Sequence, residues 1–123
     1  MSEVVHLFVS IGQFSSFVEM RHYIEQTYTE DGDGIDSDFM TEVGLDDYEP
    51  GCIEAYHKAQ PVDLPALLEG ASYGDQWIYL VPQDLMADAA ICVFAPNALR
   101  TPQRSSLTYV GAFRYWVPTN EEW

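Results

Sequence analysis

Basic residues are scarce in this sequence. Five Lys and Arg stand against twenty Asp and Glu, for a formal charge of −15 over 123 residues. A surface of that sign repels phosphate backbones and anionic headgroups. Binding to nucleic acid or to a membrane through a basic patch is therefore not expected, and a cationic partner is favoured. Cysteine is nearly absent: Cys52 and Cys92 form no CxxC pair, and nothing marks a secreted disulfide framework. Both are read as reduced thiols in a cytosolic protein, with Cys92 in the core because it sits in AAICVFA. No run of about 18 apolar residues is present, which excludes a helical membrane span. The opening MSEVVHLFVSIG lacks a basic n-region, so a secretory signal is not expected.

What the chain does have is apolar content, 47% hydrophobic and 14% aromatic, enough for one domain with a sizeable core. Residues 4–11 read as a strand, with Val5, Leu7, Val9 and Ile11 on one face and Val4, His6, Phe8 and Ser10 on the other. That pattern predicts a central or well-covered strand. Ser16 and Glu19 form an S-x-x-E capping box, and Phe17, Met20, Ile24 and Tyr28 make an apolar stripe, predicting a helix over 16–28. Arg21 and Glu25 are spaced to pair on its exposed side.

The stretch 29–38 is loop, and a short helix over 37–43 follows, capped by Asp36 or Ser37 and stopped by Gly44. Residues 45–51 are a turn and 52–57 a strand. A helix over 63–70 has Asp63 as its cap. Residues 76–81 fit a strand or a helical turn, and 82–88 a short helical or turn segment. Residues 90–96 and 106–117 read as strands, the second with Gly111 marking a bulge or bend, and Trp123 has no assigned place. The expected fold is α+β: one domain over 1–123, with a mostly antiparallel sheet of four to five strands and helices packed on one face.

The motifs of common chemistries fail one by one. Numbering Asp31 as the first position of a calcium loop puts Asp33 third and Glu42 twelfth. Ile35 and Asp36 then occupy the fifth and sixth positions, where a ligand and a glycine belong. His6, His22 and His57 show no HxxxH or HExxH spacing, and Glu19 with His22 lacks further ligands nearby. His6 and His57 would meet only if their strands are neighbours. There is no GxSxG elbow, no phosphate-binding glycine loop, and no motif that joins Cys52 to His57 as a dyad. No catalytic residue, no metal and no cofactor is expected.

The acid is segregated. From His22 to His57 there is no Lys or Arg, yet these 36 residues carry 11 of the 20 carboxylates. A partner of opposite charge is the natural source of the missing counter-charge. Glu30, Asp31, Asp33, Asp36, Asp38, Asp46, Asp47, Tyr48 and Glu49 are the candidate partner-binding residues. Tyr48, between Asp47 and Glu49, is expected to be exposed and to act as the aromatic anchor. Phe39 is assigned to the core.

The segments HLFVSIGQF, TYTEDGDG, EVGLDDYEPG and CIEAYH together resemble the immunity protein 22 family of bacterial polymorphic-toxin systems, over residues 4–57. The resemblance implies an α+β protein, encoded beside a toxin, that neutralises it by binding and has no catalytic residues. The expected function is thus an immunity protein acting on a cognate toxin, a nuclease with a basic surface, through acidic residues. Two other readings stand beside it. One is a small cytosolic ligand-binding or regulatory module with an aromatic pocket built from Trp77, Tyr79, Tyr115 and Trp116. The other is an enzyme using Cys52 and His57.

Overall fold

The computed structural model describes residues 2–118; Trp123, unplaced from sequence, lies outside them. Four strands form one antiparallel sheet. They are β1 (Ser2–Ser10), β4 (Ile53–Asp63), β5 (Met86–Val93) and β6 (Thr108–Trp116), in the order β4-β5-β1-β6. β1 is flanked on both sides, as its doubly apolar pattern requires. Its Val5, Leu7 and Val9 point into one core cluster and Phe8 into the other. Ile11 falls beyond the strand and is 61% exposed.

The two clusters lie on opposite faces, so the helices, expected on one face, divide between both. α1 (Phe17–Ile24) and α2 (Asp38–Val43) cover the face of Phe8. α3 (Leu64–Leu67) and α4 (Gly74–Trp77) cover the face of Leu7. The cause is visible in β5, where Ala89, Ile91 and Val93 feed one cluster while Ala90 and Cys92 feed the other. A strand apolar on both sides needs cover on both sides.

α1 begins as expected: the Ser16 hydroxyl accepts from Glu19 N–H at 3.1 Å, and the Glu19 carboxylate reaches back to Ser15 N–H at 3.1 Å. It ends earlier than the apolar stripe suggests. Glu25 is already extended, and Thr27–Tyr28 form β2, which pairs with β3 (Gly34–Ile35) as a small hairpin. Thr27 and Tyr28 favour extended backbone, and the pairing with β3 overrides the helical spacing. Only Met20 and Ile24 of the stripe are buried; Phe17 and Tyr28 are exposed.

α2 starts at Ser37, whose hydroxyl accepts from Met40 N–H at 3.1 Å, and stops at Gly44 in the left-handed conformation. Phe39 is fully buried, as assigned. Asp63 caps α3 by accepting from Ala66 N–H at 2.9 Å. Residues 76–81 continue α4 into a 3-10 turn over Ile78–Leu80, so no strand forms there. β5 takes in Met86–Ala89, residues read as turn or not assigned to a strand. β4 runs past His57 to Asp63 by way of a register shift between His57 and Val62. Gly111 marks a bulge, as expected. The β1–β6 register shifts opposite it, and its φ of +146° lies where L side chains are strained.

Candidate functional site: the acidic hairpin and the loop beneath it

The β2–β3 hairpin closes around Thr29. Thr29 N–H donates to the Asp33 carbonyl at 2.9 Å, Gly32 N–H to the Thr29 carbonyl at 3.0 Å, and Asp33 N–H to the Thr29 hydroxyl at 3.1 Å. This backbone bonding leaves Glu30, Asp31 and Asp33 exposed at the turn. Asp36 and Asp38, at the approach to α2, are exposed as well. Tyr28 and Ile35 flank the turn and are 65% and 49% exposed. A short hairpin that turns two apolar side chains to solvent among carboxylates has the composition of an interface centre with a polar rim.

The second acidic stretch, 45–51, is held from the far end of the chain. The Asn97 carboxamide accepts from Glu49 N–H at 2.9 Å and donates to the Glu49 carbonyl at 3.0 Å. Glu49 turns its own carboxylate onto Gly51 N–H at 3.2 Å, capping the 3-10 turn over Pro50–Cys52. Asp47 is exposed. Asp46 pairs with Arg100 at 2.9 Å and Glu25 pairs with Arg21, so two acids of the segment find a counter-charge outside it. Both pairs are exposed, and such a pair contributes about 0.2–1 kcal/mol.

Tyr48 differs from expectation: it is half-buried against the α1–α2 core cluster. Its ring lines a groove of about 260 Å³ together with Phe17, Ile24, Pro50, Ile53 and the Arg21–Glu25 ion pair. The phenol lies beside Glu25, the Gln26 backbone and Tyr28, and burial followed by the charge of Glu25 raises its pKa. Tyr48 is thus the contact that seats the 45–49 loop at the root of the hairpin. The turn residues around it predicted exposure, but a single tyrosine among acids has an apolar ring to bury.

Two other acids of the segment are used inside the fold. The Glu42 carboxylate accepts from the Tyr23 hydroxyl, from Ser106 N–H at 2.7 Å and from the Ser106 hydroxyl at 2.8 Å. Burial first, then hydrogen bonding to Glu42, raises the Tyr23 pKa strongly. Glu54 accepts from Ser72 N–H at 3.0 Å, from the Ser72 hydroxyl and from the Tyr56 hydroxyl at 2.7 Å.

The other sequence candidates separate in space. Cys52 packs with the core on the Leu7 face, whereas His57 Nε2 is 3.1 Å from the Phe14 carbonyl, whose residue belongs to the Phe8 face. The two therefore form no dyad. His6 is two strands from His57 and bonds the Tyr109 hydroxyl at 2.9 Å instead. The pocket expected from Trp77, Tyr79, Tyr115 and Trp116 does not assemble. Trp77 is fully buried and stacks on Phe113, while Tyr79 and Trp116 are exposed. Tyr115 and Trp116 share an open recess with Gln76 and Arg114, and Tyr115 also lines a separate cavity with Tyr73 and Phe94, which sequence spacing did not single out.

Among the described residues no helix is long and apolar enough to cross a membrane. Neither the curated proteins nor the solved structures include a match to this chain. The family model described as immunity protein 22 matches residues 7–115, which reaches into every strand of the sheet and includes both helical layers. The chain belongs to the immunity protein 22 family.

Proposed function

We propose that this chain, acting as a single immunity domain over residues 1–123, binds a cognate bacterial toxin in the cytoplasm and neutralises it. The family match carries the toxin-neutralising role. The finer reading is that the toxin is a nuclease with a basic surface, and that Glu30, Asp31, Asp33, Asp36, Asp38, Asp46, Asp47, Tyr48 and Glu49 contribute to the contact. Several observations support it. The chain carries −15. The hairpin carboxylates are exposed, and Tyr28 and Ile35 beside them offer apolar area for a desolvated centre. Carboxylates placed against a nuclease occupy the ground that substrate phosphates would take, and complementary fields raise the association rate.

Within that set the roles differ. Glu30, Asp31, Asp33 and Asp47 face the partner directly. Asp46 exchanges Arg100 for a partner base, and Glu49 and Tyr48 hold the loop in shape. Co-expression tests the proposal. Cells carrying the toxin domain encoded beside this gene survive only when the chain is present, and the purified toxin domain loses its nuclease activity on equimolar addition of the chain. Cells that die equally with and without the chain would overturn it.

A further inference from the structure

A second recessed site lies away from the hairpin, at the end of the sheet where β1 begins and β5 ends. It is a cavity of about 360 Å³, at the small end of the ~300–1,000 Å³ range of ligand sites. Three aromatic rings form one wall. Tyr73 stacks on Tyr115 with ring centroids 4.7 Å apart, and Phe94 meets Tyr115 edge-on at 5.4 Å. Glu3 and Glu54 also line the cavity, and among the described residues no Lys or Arg does.

Glu54 is a carboxylate held in place by neutral donors alone, from Ser72 and Tyr56. The Tyr115 ring is fixed in turn, its hydroxyl accepting from Ala95 N–H at 3.2 Å. Tyr73 adopts φ +57°, a left-handed conformation that Gly or Asn enters at lower cost. A tyrosine there gives the cavity its ring.

Aromatic faces together with carboxylates, with no Lys or Arg among the described lining residues, are complementary to an organic cation. A guanidinium fits better than an ammonium, because its plane stacks on a ring while its N–H fork meets a carboxylate. We propose that the cavity bounded by Tyr73, Phe94, Tyr115, Glu3 and Glu54 receives an arginine side chain of the partner protein. This rests on the toxin-binding reading for the source of the arginine, and on the cavity alone for its chemistry. It assigns a second contact region, separate from the hairpin.

The test is an amide-resolved NMR titration of the isotope-labelled free protein with N-acetyl-arginine amide, set against N-acetyl-citrulline amide, which has the same shape without the charge. The arginine probe shifts the amides of Cys52, Ser72, Tyr73 and Ala95 saturably, and the citrulline probe does not. Tyr73→Gly removes the ring while relaxing the backbone, and weakens the arginine probe about tenfold. Glu3→Gln, which removes one carboxylate of the cavity at nearly constant shape, weakens it as well. Equal shifts from both probes, or a Tyr73→Gly protein that binds the arginine probe as well as the wild type, would overturn the proposal. The same variant in the co-expression assay addresses the source: reduced protection supports a partner arginine, and full protection with lost probe binding contradicts it. A negative titration counts against the cavity only, whereas failure of the wild-type chain to protect counts against the toxin reading.

Discussion

The side chain of Asn97 completes the backbone of Glu49 on both sides, accepting from its N–H at 2.9 Å and donating to its carbonyl at 3.0 Å. A carboxamide offers a donor and an acceptor in the spacing of a peptide group, so this one residue acts as a strand partner for a loop that has none. It also donates to the Phe94 carbonyl at 3.3 Å, at the end of β5. The acidic loop is thereby tied to the chain just past a central strand.

Asn97→Ala therefore loosens the 45–51 loop and costs about 1–3 kcal/mol in stability, the range for a buried polar partner removed. Asn97→Asp costs more, because a carboxylate keeps the acceptor for Glu49 N–H but faces the Glu49 and Phe94 carbonyls without a donor. Urea denaturation ranks the two, and hydrogen exchange at Glu49 N–H reports whether the loss is local.

Glu42 clasps three parts of the fold: its own α2, Tyr23 of α1 and Ser106 ahead of β6. Three donors converge on one carboxylate, and Glu42→Gln removes the charge that strengthens these bonds, leaving an amide N–H₂ that can only donate to the Ser106 hydroxyl. The expected loss is about 1.5–3 kcal/mol, the range for hydrogen bonds to a charged group. Tyr23→Phe costs roughly 1 kcal/mol for the hydroxyl, and the double variant loses less than the sum because the two share a bond. A double-mutant cycle by thermal or chemical denaturation checks this.

Burial lowers the pKa of His6 below its ordinary 6.5. Its polar neighbour is the Tyr109 hydroxyl, and its cross-strand partners Val93 and Ala112 carry no charge. The unfolded chain then takes up the proton first as pH falls. The contribution of His6 to stability is present above about pH 6.5 and is lost as pH drops through the folded value. Unfolding free energies measured from pH 8 to pH 5 fall for the wild type, and His6→Gln flattens that part of the slope.

The sequence was most legible where side-chain chemistry is local. Ser37, Gly44 and Asp63 cap the helices they were expected to cap, Arg21 pairs with Glu25, and Gly111 sits at a bulge. Sequence was less legible where a partner far along the chain decides. The helical spacing of Tyr28 lost to strand pairing with Gly34. Tyr48 took a half-buried place because α1 and β4 offered it a groove. The apolar composition of β5 left open which helices cover which face. Of the site, the exposure of the hairpin acids follows from a glycine-rich turn. The Asn97 tether and the Arg100–Asp46 pair join residues about fifty positions apart, a separation at which no periodicity operates.

The most direct measurement is stopped-flow association of this chain with the toxin domain encoded beside it, across a range of salt. The account predicts fast association that slows steeply with ionic strength. Reversing Asp31, Asp33 and Asp47 to Lys should cut the rate by roughly tenfold or more at low salt and flatten the salt dependence. An on-rate unchanged by the triple reversal would contradict an acidic recognition surface.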